Sequence, residues 1–126
     1  MLLLPGTHKG PLVLAAGKVV NVFGRGRATL QTVAGDVLTS AAAASTIDGL
    51  IVRTELHTTG EGHYGILITS GKLRVQACDV SCLSRSGICI RGPTADPFVT
   101  GCHLHHSARA DVVMAEGCKG TVKDCT

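Results

Sequence analysis

The feature that most constrains the fold of this chain is a repeat of about two dozen residues, a length typical of solenoid proteins. The repeat recurs in two independent registers. The first consists of short runs, 22 and 24 residues apart, that begin at Gly65, Gly87 and Asp111. The second is an apolar residue followed three positions later by cysteine, with spacings of 24 and 23 residues, and it begins at Val75, Val99 and Val122. Two registers with one period predict coils that stack on one another.

Weaker copies of the pattern extend upstream. Ile47–Val52 resembles the second register, 28 residues before Val75, and Asp36–Thr39 resembles the first. That alignment predicts one column that contains Asp36, Gly65, Gly87 and Asp111. Each repeat holds short β-branched runs between Gly-containing turns and no segment of helical period. We therefore predict an all-β fold, a right-handed single-stranded parallel β-helix of about four to five coils, which forms a single domain over residues 1–126 with repeats of 22–29 residues.

Stacked parallel strands lie about 4.8 Å apart, so each inward side chain lies over its equivalent in the next coil. The predicted inward columns are Ile66/Ile88/Val112, Ile68/Ile90/Met114, Val75/Val99/Val122 and Cys78/Cys102/Cys125. A free cysteine behaves as a small buried hydrophobe. We therefore expect six unpaired thiols and a cytoplasmic location. The alternative is that an even number of cysteines forms disulfides in a secreted protein.

Two further segments carry a resemblance to a known family. Leu3–Gly10, with its Pro-Gly-Thr-His turn, and Val20–Leu30, with its Gly-x-Gly turn, are similar to the opening coils of pectin-lyase-like right-handed β-helices. Ile47–Val52 resembles a strand of the same repeats. The resemblance implies the fold over nearly the whole chain. It extends to enzymes that act on polysaccharides, to periplasmic copper-enzyme maturation factors, and to eukaryotic cytosolic members. Among the last, an F-box protein and a Shc-SH2-binding protein share the Cys-rich, aromatic-poor repeats. Fold does not imply function.

Composition and column contents argue against several functions. The net charge of +3 is small and its basic residues are dispersed, which does not indicate nucleic acid or a membrane as a partner. The aromatic residues that could stack on sugar rings are Phe23, Tyr64 and Phe98. Glycosidases generally need two carboxylates about 5–10 Å apart. The outward columns Ile51/Asp79/His103/Thr126 and Asp48/Gln76/Thr100/Lys123 do not pair two acids, so we assign no catalytic residue.

The densest patch of candidate ligands is Cys102–His106. With Leu104 inward, strand alternation turns His103 and His105 outward on one face. The alignment places three residues of the preceding coil below the histidines: Asp79 below His103, Ser81 below His105 and Cys82 below His106. The pattern favours an exposed polar strip, with a metal site or a Cys–His pair as the alternatives. The candidate binding residues are Asp79, Ser81, His103, His105 and His106, and we assign no metal and no cofactor.

Gly24–Arg27 could be taken for a phosphate-binding loop. Such a loop should open a helix, whereas Ala28–Leu30 has the sequence of a strand. We therefore predict a turn.

These observations favour a non-catalytic recognition or scaffold module that binds a protein, or a glycan, on a lateral sheet face. The alternative is a carbohydrate-active lyase, hydrolase or epimerase whose catalytic coils are missing. The chain begins on an apolar strand and ends inside a repeat, which predicts a piece of a longer helix, because terminal repeats normally carry a polar cap. An uncapped last coil also predicts an end-to-end homodimer.

Overall fold

A computed structural model of the protein describes residues 6–9, 12–14, 21–32, 37–41, 44–54, 64–82, 86–105, 111–115, 117–123 and 125. The secondary structure of these residues consists of strands. They are β1 (Gly6–Lys9), β2 (Leu12–Leu14), β3 (Asn21–Thr32), β4 (Leu38–Ser40), β5 (Ala44–Thr54), β6 (Ile66–Ile68), β7 (Lys72–Gln76), β8 (Asp79–Cys82), β9 (Ile88–Arg91), β10 (Phe98–Thr100), β11 (His103–His105), β12 (Val112–Ala115) and β13 (Thr121–Lys123). Over the described ranges, no helix is long and apolar enough to cross a bilayer.

All the strand pairs are parallel, and each strand pairs with its equivalent one coil away. One sheet has the order β12-β9-β6-β4-β2. The other has the order β1-β3-β5-β7-β10-β13, and β8 joins it between β5 and β11. This arrangement confirms the predicted all-β parallel solenoid. The described residues form a solenoid of about three turns, slightly fewer than the predicted four to five coils.

The inward columns have the predicted register. Ile88 pairs with Ile66 and Val112, and Val99 pairs with Val75 and Val122. Val75, Val99, Ile66 and Ile88 are fully buried. Met114 and Val122 of the last coil were also predicted to be inward, but their exposed fractions are 48% and 40%. No described strand stacks above β12 or β13, so their side chains are covered from one side only.

One predicted column is wrong. Leu38 pairs with Ile66, so Val37 and not Asp36 stands over Gly65. The one-residue shift follows from burial, because it places Leu38 against the Ile66 column and leaves both Val37 and Leu38 fully buried. A register slip of one residue would move the strand's buried face outward.

A column of left-handed residues bends the larger sheet. Gly49, Ala77 and Gly101 have φ angles of 69°, 52° and 63°. Gly49 lies between Asp48 and Ile51. Ala77 and Gly101 lie at the equivalent positions of the next two coils. Each bend turns the chain from the first arm of the sheet (β7 and β10) into the second arm (β8 and β11).

Gly24–Arg27 lies at the same bend, one coil earlier. Phe23 pairs with Asp48 and Ala28 with Leu50, so four residues stand opposite Gly49 alone. They form a bulge within β3 and not a turn between separate strands. Ala28–Leu30 continues as strand, as predicted.

Candidate functional site

The predicted polar strip lies on the second arm of the larger sheet. His103 pairs with Asp79 and His105 pairs with Ser81, in the predicted register. Between them Leu104 stacks on Val80, and both side chains are buried. The alternation of a strand therefore places the two histidines on the outer face.

Asp79 and the two histidines form one cluster. The Nε2 atom of His105 lies 2.5 Å from Oδ1 of Asp79. The imidazole rings of His103 and His105 stack with centroids 4.5 Å apart and planes at 25°. One donor atom from each of the three residues lies within 4.8 Å of the other two. The carboxylate therefore reaches diagonally to His105, although its partner in the register is His103.

The remaining predicted residues have different environments. Ser81 is only 8% exposed and stands in register between Arg53 in one coil and His105 in the other. Its accessibility to a partner is therefore small. His106 lies outside the described residues. Cys82, predicted below His106, is fully buried.

A second feature of the outer surface is a groove of about 480 Å³ on the first arm of the same sheet. One outward column, which crosses five stacked strands, forms its floor: Asn21, Thr46, Arg74, Phe98 and Thr121. Other residues that line it are Ala44, Ser45, Lys72, Leu73, Asp96 and Pro97.

The flank of the groove is held by backbone hydrogen bonds between coils. The Asp96 amide donates to the Gly71 carbonyl at 2.9 Å, and the Thr121 amide donates to the Pro97 carbonyl at 2.9 Å. Lys72 and Arg74 are exposed cations, and Phe98 is 39% exposed. Among the lining residues that the structure describes, Asp96 is the only acidic one. The groove thus carries two cations and one carboxylate, and the partly exposed ring of Phe98 lies on its floor beside Arg74.

This groove was not predicted from the sequence. The predicted outward columns contained Asp48 and Ile51 but not the residue that precedes each inward valine or isoleucine. That residue is Thr46, Arg74, Phe98 or Thr121 in successive coils. The inward positions were recognisable because they repeat. The outward ones change from each coil to the next, so their alignment carries no sequence signal of its own.

The interior of the bend contains the predicted cysteine column. The thiols of Cys78, Cys102 and Cys125 donate to the carbonyls of Gln76, Thr100 and Lys123 at 3.3–3.4 Å. The hydrogen bond with Cys102 and burial raise the pKa of Cys78. The hydrogen bond from Cys78 lowers the pKa of Cys102 to about 7. Burial raises the pKa of Cys125. Cys78 and Cys102 are 2% exposed, which indicates packing and not surface chemistry.

Comparison of the chain with protein-family models, with curated proteins and with solved structures gives no match. Functional inference therefore depends on the groove and on the cluster of Asp79, His103 and His105.

Proposed function

We propose that the chain is a recognition module, a β-helix of the pectin-lyase-like kind that binds a protein partner in the groove on its lateral sheet. The observation that carries this proposal is the groove itself, whose floor crosses five stacked strands. At about 4.8 Å per strand the floor is about 19 Å long, which matches about six residues of extended peptide. Solenoids commonly use such extended surfaces for binding.

Charge complementarity supports an acidic, extended protein segment as the occupant. Lys72 and Arg74 contribute two positive charges to the groove and Asp96 contributes one negative charge. Arginine and aromatic residues are enriched at protein interfaces and at their hot spots. Arg74 and Phe98 are neighbours in register on β7 and β10, so one segment can contact both. An anionic residue of the partner would pair with Arg74, while an apolar neighbour would cover Phe98.

The groove supports binding better than glycoside hydrolysis. A hydrolase of the usual kind needs two carboxylates across the bond that it cleaves. Asp96 is the single carboxylate among the described lining residues. An acidic glycan would be attracted by the same cations, so it is the competing occupant.

Fluorescence polarisation with a defined peptide tests the proposal. The probe is a fluorescein-labelled six-residue peptide that alternates Glu and Leu, with a Lys/Leu peptide as its charge-reversed counterpart. We expect saturable binding of the acidic peptide that weakens with salt. Arg74→Glu should weaken it by about tenfold, the equivalent of about 1.4 kcal/mol. Arg91→Glu is the matched control, because Arg91 is exposed on β9 and does not line the groove.

Three results would contradict the proposal. One is equal binding of the acidic and basic peptides. Another is equal loss of affinity in Arg74→Glu and Arg91→Glu. The third is tighter binding, or shortening, of oligogalacturonate under the same conditions. That result would instead support a glycan-binding or carbohydrate-active protein.

A further inference from the structure

The cluster of Asp79, His103 and His105 combines two imidazoles with a carboxylate on two neighbouring strands. The parallel pairing of β8 and β11 fixes the three backbone positions, and the His103 amide donates to the Cys78 carbonyl at 2.9 Å. Their side chains share the outer face of the sheet. The exposed fraction is 27% for the side chain of His105 and 43% for that of Asp79, so an ion can reach both from solvent.

The donor set has the chemistry of a transition-metal site. Imidazole nitrogen and carboxylate oxygen are both ligands of Zn²⁺, at about 2.0–2.2 Å from the ion. Sites for Mg²⁺ and Ca²⁺ are built from oxygen donors instead. Zinc also imposes no geometric preference through its d electrons, and it accepts three protein ligands with one position left for water or for another molecule.

The distances in the cluster are close to those that a bound ion requires. Donors on a tetrahedral zinc ion lie about 3.3–3.6 Å apart for bonds of about 2.0–2.2 Å. The three donor atoms now lie within 4.8 Å of one another, and the Asp79–His105 contact is 2.5 Å. Closing the longer separations and opening the shorter one requires shifts of about 1 Å, which small rotations about side-chain torsions provide.

We propose that Asp79, His103 and His105 bind one Zn²⁺ ion and that the ion cross-links two neighbouring coils of the solenoid. Water or an atom of a bound partner completes the coordination. The ion also places a positive charge on the second arm of the sheet, whose first arm carries the groove. The site is independent of the proposed peptide binding, since none of its three residues lines the groove.

Zinc titration of the untagged 126-residue chain tests this inference. Isothermal titration calorimetry should find one strong site per chain, and binding of Co²⁺ should give the visible absorption of a low-coordinate cobalt ion. Asp79→Asn, His103→Gln and His105→Gln should each weaken Zn²⁺ binding by more than about tenfold, because even outer-shell partners contribute about 10- to 100-fold. Asp111→Asn is the matched control, since this exposed carboxylate lies beside β12 in the other sheet and should leave affinity unchanged.

The remaining histidines of the chain offer other places for an ion, so the variants decide the result. A variant that combines all three substitutions should lose the site, so a Zn²⁺ affinity equal to that of the wild type would overturn the proposal. Unchanged Zn²⁺ affinity in Asp79→Asn would also overturn it. Circular dichroism without metal establishes that each variant folds. If one variant does not fold, the histidine ring resonances of the wild type provide a second measurement. Zn²⁺ should shift the ring resonances of two histidines. These should be the resonances that His103→Gln and His105→Gln remove or perturb. A shift confined to other histidines would also overturn the proposal.

Discussion

The Sγ atom of Cys102 lies 3.6 Å from the carbonyl oxygen of Val75, one coil away, so its single S–H is shared between this carbonyl and that of Thr100. Cys78 and Cys125 make the same contact with Ile47 and Val99 at 3.9 Å. These contacts link neighbouring coils inside the bend, where the chain changes direction. The cysteine column therefore combines apolar packing with weak hydrogen bonds to backbone carbonyls.

Val99→Asp should unfold the domain or destabilise it by at least about 3 kcal/mol, because it buries an unpaired carboxylate. Val99 is fully buried between Val75 and Val122. Phe98→Asp is the control on the same strand, and it should cost about 1 kcal/mol or less because Phe98 is partly exposed. Thermal denaturation followed by circular dichroism compares the two. A Val99→Asp protein that melts with the wild type would show that the column is misplaced.

Ala77→Gly should stabilise the protein by about 0.5–1 kcal/mol. Ala77 has a φ of 52°, a left-handed conformation that glycine adopts without strain, while its neighbours in the column are glycines. Gly101→Ala should destabilise by about 1 kcal/mol. A Cβ at Gly101 would meet its nearest atom, the amide nitrogen of Ala77, only at 3.9 Å, so backbone strain and not a clash is measured. Urea denaturation of both variants checks the opposite signs. Changes of the same sign would contradict the bend.

All six cysteines should react in a thiol titration in denaturant without reductant. The structure describes each of them as a thiol outside any disulfide. Without denaturant, Cys78 and Cys102 should react slowly, because each is only 2% exposed. A count near zero in denaturant would indicate disulfides and an oxidising compartment.

Stability should depend on pH through the same pair of cysteines. The pKa of Cys102 is lowered from 9.0 to about 7, so its contribution to stability is complete above pH 9.0 and is lost as the pH falls through about 7. The pKa of Cys78 is raised, so its contribution is present below pH 9.0 and declines at higher pH. We expect the Tm of the wild type to rise between about pH 6 and 9 relative to that of Cys102→Ser.

Cys118→Ser is the control for that comparison, since Cys118 lies outside the cysteine column. Differential scanning calorimetry across the pH range gives the three Tm profiles. If the profiles of wild type and Cys102→Ser run parallel, Cys102 ionises with the same pKa in the folded and unfolded chain.

Sequence alone determined the parallel stack and its inward columns. Val75, Val99 and Val122 recur because an inward side chain of a solenoid always lies on its equivalent, so one residue type fits every coil. The same reasoning placed His103 over Asp79 and His105 over Ser81. The prediction failed where the length of the repeat varies, since Leu38, and not Val37, stacks on Ile66. Gly24–Arg27 form a bulge, and a repeat of regular length does not predict such an insertion.

Only the tertiary structure decided what the outward residues form together. Arg74 and Phe98 share a groove although their residue types do not repeat, because outward positions need not match from coil to coil. The contact of Asp79 with His105 is diagonal, so it depends on side-chain torsions as well as on register. The exposure of Val122, which the repeat places inside, likewise depends on whether another strand covers it. A repeat fixes each residue's neighbours along its column, whereas grooves, diagonal contacts and end exposure depend on the assembled surface.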